Sequence, residues 1–94
     1  MPNTNTVTAR QAVNTRQSIE RISDICARSG FSRSTFYVMV SRGLWTKPVQ
    51  IGPRMVGSPP AEADAIICAR IAGKSDDEIR TLVVKLEAAR REAA

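Results

Sequence analysis

Ser32, Arg33, Ser34 and Thr35 stand in a row, and Tyr37, Ser41, Arg42, Lys47 and Arg54 follow them at short intervals. Hydroxyl and guanidinium groups in this density donate hydrogen bonds and carry positive charge, which suits them to gripping a polyanion. If the row opens a helix, the free N–H groups at its start can take a phosphate and place Arg33 against a base edge. Arginine pairs with guanine through two parallel hydrogen bonds in the major groove. Tyr37, one turn on, can meet a phosphate or a thymine methyl. Arg42 and Lys47 flank the end of such a helix, and Arg54 has the reach to follow a duplex backbone or enter a minor groove.

Other chemistry finds little support in the residues. The chain of 94 residues has no histidine, so a Ser–His or Cys–His nucleophile pair is excluded. Cys26 and Cys68 are the two cysteines, and two thiolates cannot complete a tetrahedral zinc site within one chain. Both fall in apolar stretches and are expected as buried free thiols. Asp76, Asp77 and Glu78 form an acidic cluster that helix capping explains without catalysis. Gly73-Lys74-Ser75 imitates the end of a phosphate-binding loop, but Cys68 stands where its first glycine is needed and no strand precedes it. Neither an enzyme nor a cofactor is expected, and no small-molecule substrate is evident.

The charge is placed unevenly. Residues 1–58 carry eight Arg or Lys against Glu20 and Asp24, and residues 59–94 carry six basic against seven acidic residues. A basic half joined to a balanced half points to a polyanion-binding face and a separate helical packing or pairing face. No apolar leader opens the chain and no apolar run approaches membrane-spanning length, so a cytoplasmic location and no membrane partner are expected.

The elements that must position these groups follow from periodicity and punctuation. Residues 1–18, rich in Thr and Asn, read as a disordered arm in which Arg10 and Arg16 can touch phosphate. Ile19, Ile22 and Ile25-Cys26 mark an apolar stripe, with a helix over about 23–29, Ser23 as its N-cap and Gly30 as its stop. Ser32 caps a second helix over about 33–42, whose Phe36, Met39 and Val40 point inward. Phe31 plugs the turn between the two helices. Trp45 is expected to pack between them and a hairpin formed by residues 48–52 and 55–57, which turns at Gly52-Pro53-Arg54. Ser58 then caps a third helix with Pro59 in its first position and Ala63, Ile66, Ile67 and Ile71 on its apolar side. Ser75 and Glu78 form a capping box for a fourth helix over about 76–92, with Ile79, Leu82, Val83, Leu86 and Ala89 along one stripe. The fold class is therefore mainly α with a small β-hairpin, the layout of a winged helix-turn-helix over 19–73 followed by an amphipathic helix over 74–94.

Ile25 to Tyr37, ICARSGFSRSTFY, resembles the AlpA family of prophage regulators, whose pattern runs through a glycine turn into S-R-S-T-x-Y. The likeness continues through Ser41-Arg42-Gly43 and Lys47-Pro48-Val49-Gln50-Ile51-Gly52-Pro53-Arg54, and ends at Glu62-Ala63-Asp64-Ala65. It covers about residues 20–72. Val38 departs from the basic residue common in the family, and Ser58, Ala63 and Ile66 stand where the family usually has Trp, Val and Trp.

The resemblance implies a winged-helix protein of the excisionase and MerR-like group, bound to double-stranded DNA, with the 32–42 helix in the major groove and a wing around Arg54. It implies a transcriptional regulator of a prophage or mobile element, or an excisionase that sets the direction of recombination. A reading from another class is a protein-interaction adaptor or antitoxin-like module that uses helix 76–92. Within the DNA-binding reading, Ile79, Leu82, Val83 and Leu86 are expected to support self-association, as a homodimer or oligomer on DNA, because a single domain reads only a short site.

Overall fold

The computed structural model describes residues 18–93. The arm read over 1–18, with Arg10 and Arg16, falls outside the described residues up to position 17. The chain runs β1 (Glu20–Arg21), α1 (Ile22–Ser29), α2 (Arg33–Ser41), β2 (Val49–Gly52), β3 (Met55–Ser58), α3 (Pro60–Ile71) and α4 (Asp76–Ala93). It is mainly helical, with one small antiparallel sheet in the order β1-β3-β2. Among the described residues no helix is long and apolar enough to cross a membrane.

The end of the first helix and the start of the second form as their punctuation predicts. Gly30 closes α1 at φ 81°, a left-handed conformation that costs glycine little. Ser32 caps α2, its hydroxyl accepting the Thr35 N–H at 3.1 Å. Phe36 is fully buried, and Met39 and Val40 pack half-buried beside it. The start of α1 differs from the sequence reading. Arg21, not Ser23, is its N-cap and gives no side-chain cap. The cause is β1: Arg21 pairs with Gly57 in the sheet, so its backbone stays extended and the helix begins at the next residue.

That third strand was not legible beforehand, because two residues show no period. It brings Ile19 out of the helical stripe and onto the sheet. β1 can approach β3 closely because residue 57 is glycine. A Cβ there would lie 2.7 Å from the Glu20 carbonyl oxygen and 2.5 Å from Ile19 Cγ2. The hairpin is otherwise as read, with an irregularity between Gln50 and Gly52 at its turn.

Three further expectations are corrected. Ser58 ends β3 and Pro59 is the N-cap, so α3 begins at Pro60. A residue that precedes proline is pushed out of the helical region, and Pro59 precedes Pro60. Ile71 is 81% exposed; five residues beyond Ile66, it is rotated well off the buried face. Cys68 is exposed for the same reason, two residues from Ile66 on a helix of 3.6 residues per turn. Cys26 is buried as expected, and burial pushes its thiol pKa up.

One core joins all four helices. Ile22, Ile25 and Cys26 of α1, Phe36 of α2, Ala63 and Ile66 of α3, and Ile79 and Val83 of α4 meet around Leu44 and Trp45. Trp45 is buried and packs rather than stacking in solvent. Its ring meets Phe31 edge-on at 5.5 Å and Phe36 at 5.9 Å. With so few aromatics in the chain, these rings fill a large share of the centre. The Ile79-Leu82-Val83-Leu86 stripe, read as a self-association surface, is covered in part by its own chain. Ile79 and Val83 lie in the core, and Leu82 and Leu86 pack half-buried against it.

Phe36→Ala should lower unfolding free energy by about 3–5 kcal/mol through lost burial and a cavity. Urea titration checks it, and an unchanged midpoint would put Phe36 on the surface. The capping box yields a pH effect. The Ser75 N–H donates to Glu78 at 2.8 Å, and the carboxyl is held below its ordinary pKa chiefly by this bond and then by the Ser75 hydroxyl. A carboxyl lowered on folding stabilises above its unfolded pKa, and that stability disappears as pH falls through the folded value. Melting temperatures of wild type and Glu78→Gln should therefore differ most at neutral pH and converge in acid.

Candidate nucleic-acid interface

The arginines fall into two groups. In one group the arginines are engaged. Arg28 holds Glu20 at 3.0 Å and Asp64 at 2.9 Å, Arg70 holds Asp76 at 3.0 Å, and Arg80 holds Asp77 at 3.1 Å. Arg90 grips the buried Glu62 carboxylate with Nε at 2.8 Å and Nη2 at 2.6 Å. The hydrogen bonds to Glu62 raise the Arg90 pKa further, so this guanidinium is permanently charged. A second group, Arg21, Arg33, Arg42, Arg54 and Arg91, holds no carboxylate among the described residues. The first four belong to β1, to the two ends of α2 and to the hairpin turn, and Arg91 to the last turn of α4.

Each residue singled out in the sequence has a definite place. Ser32 is spent on the cap, its hydroxyl shared between the Thr35 N–H and the Thr35 hydroxyl. Thr35 therefore supports the helix start while staying exposed. Ser34 is exposed with no such engagement among the described residues. Tyr37 is 40% exposed and rests edge-on against Phe36 at 5.1 Å, so it serves the core with one edge and faces solvent with its other side. Ser41 donates its hydroxyl to the Val38 carbonyl at 2.7 Å. Val38 itself is 46% exposed, beside Ser34 and Ser41 on the outer face of α2.

Arg33 and Arg54, distant in sequence, line one cleft between α2 and the hairpin. Lys47 does not line it. The backbone of Lys47 is held by α4, its N–H donating to Glu87 at 2.8 Å and its carbonyl accepting from Arg90 at 2.8 Å. Arg80 reaches the same loop and donates to the Arg42 carbonyl at 2.9 Å. Thus three side chains of α4 hold three backbone groups of the segment that joins α2 to the hairpin. That segment sets where the turn carrying Arg54 stands relative to α2.

Two contributors were missed in the sequence. Arg21 lines the same cleft as Arg33 and Arg54; its only sequence signal is its place in the basic half. Glu62 was noted as part of the family likeness, yet it is buried against Arg90. Helical phase could have exposed it, since Glu62 lies one turn before the buried Ile66.

Compared with known proteins, the chain matches no family model, no curated protein and no solved structure.

Arg90→Met keeps much of the apolar stem but leaves Glu62 buried without its partner. It should destabilise the protein by about 1–3 kcal/mol, the cost of an unsatisfied buried acceptor. Chemical denaturation measures it; an unchanged midpoint would mean that Glu62 finds water and that the clamp does not hold the loop.

Proposed function

We propose that the chain is a double-stranded DNA-binding regulator built as a winged helix-turn-helix. In this reading α2 enters the major groove and the β2–β3 hairpin is the wing, placed against the backbone or minor groove by Arg54. The observation that carries the reading is the set of unpaired arginines. Arg33 and Arg42 at the two ends of α2 and Arg54 on the hairpin are left without carboxylates, while Arg28, Arg70, Arg80 and Arg90 are consumed by internal pairs. Guanidinium groups held in this way offer charge to a polyanion without first breaking an ion pair.

Geometry supports the same assignment. α2 follows α1 after the short Gly30–Ser32 turn, and its outer face of Ser34, Val38 and Ser41 is exposed and small enough to approach base edges. The likeness of Ile25–Tyr37 and Lys47–Arg54 to AlpA proteins extends the proposal to transcriptional control in a prophage or mobile element. Such a protein acts in the cytoplasm, where the DNA is.

Val38 provides the test. It is exposed, so substitution there should change stability by less than about 0.5 kcal/mol. Val38→Lys should tighten binding to mixed-sequence duplex and steepen the log–log salt dependence by about one unit. Val38→Glu should weaken binding at least about tenfold through repulsion by the phosphates. Fluorescence anisotropy on a labelled duplex reads both, and two variants that bind like wild type would take α2 out of the interface.

A further inference from the structure

The cleft between α2 and the hairpin has a composition that the sequence did not foreshadow. Arg21 from β1, Arg33 from the start of α2 and Arg54 from the hairpin turn enter it from three separate elements. Ile19, Ile51 and Val56 supply apolar walls, and among the described residues no carboxylate lines it. The adjacent concavity is its opposite. Arg21 also borders that one, but there Glu20, Asp24 and Asp64 are present, and Arg28 takes up Glu20 and Asp64. Arg21 thus stands on a ridge between an acidic hollow and a basic one and pairs with none of those acids.

Three like charges around one concavity repel each other. The arrangement becomes favourable when an anion enters. The anion must be small enough to reach three side chains at once and must offer several acceptor oxygens. A phosphodiester group has both properties, and guanidinium groups bind it through paired hydrogen bonds.

We propose that this cleft is a clamp for the nucleic-acid backbone, with Arg21, Arg33 and Arg54 closing on the same stretch of phosphodiester. The proposal rests on the DNA-binding reading and deepens it. It adds Arg21 to the interface and assigns Arg33 to the backbone instead of a base edge. Discrimination between bases then falls to the outer face of α2, through Ser34, Tyr37 and Val38. The clamp also explains why the hairpin is tied back to the core through β1. A wing joined to α1 by a third strand holds its arginine at a fixed distance from α2, so the cleft is formed before the anion arrives.

The experiment measures binding of wild type, Arg21→Ala, Arg54→Ala and the double variant to two short duplexes of unrelated sequence and to a single strand of the same length. Salt is varied, and melting temperatures show that each variant is folded. Arg21→Ala should weaken binding to both duplexes about equally, by about tenfold, and flatten the salt slope by about one unit. The double variant should lose less than the product of the two single losses, because both side chains serve one stretch of backbone. Unchanged affinity in Arg21→Ala, or losses that multiply independently, would overturn the clamp while leaving duplex binding standing. A wild type that binds only the single strand, with Arg21→Ala weakened, would keep the clamp and overturn the duplex reading. A wild type that binds none of the three probes would overturn both.

Discussion

The position of the hairpin depends on the hold that α4 keeps on the loop between α2 and β2. Arg80 binds the Arg42 carbonyl, Glu87 binds the Lys47 N–H, and Arg90 binds the Lys47 carbonyl while gripping Glu62 of α3. Exposed hydrogen bonds contribute modestly one at a time. Here they act on a single short segment from one rigid helix, and Leu44, Trp45 and Thr46 of that segment are buried beneath them. The loop therefore has little freedom to move its two ends relative to each other. The C-terminal helix is a structural part of the same unit, and its polar side works on the chain as much as its apolar stripe does.

This arrangement divides the charge of the molecule. Carboxylates are concentrated in α3, α4 and the edge of β1, where they neutralise the arginines that hold the fold together. α2 and the hairpin contain no acidic residue, so their arginines cannot be satisfied locally. Positive charge on α2 and the hairpin is consequently left unbalanced. A fold that spent its acids evenly would have the same net charge and no directed field.

Much of the local structure could be read from residue types. Ser32, Gly30 and the Ser75–Glu78 box punctuate helices through interactions with near neighbours, and Phe36, Met39 and Val40 betray the buried face of α2 by spacing. What escaped depends on contacts distant in the chain. β1 exists because Gly57 admits it, and nothing in Glu20-Arg21 announces a strand. The burial of Glu62 and the partner of the α4 stripe follow from which helices meet, which periodicity does not specify. Ile71 and Cys68 looked buried because their neighbours are apolar, although their helical phase turns them outward. The arginines of the candidate interface were legible individually. Their convergence was not, because Arg21, Arg33 and Arg54 meet only after the sheet has formed.

Backbone amide shifts in the full chain on addition of a short mixed-sequence DNA duplex at low salt test the central claim most directly. The account predicts perturbations concentrated at Arg21, along residues 32–42 and around Arg54, with the exposed face of α4 unmoved. Perturbations centred on α4, or a spectrum that the duplex leaves unchanged, would contradict it.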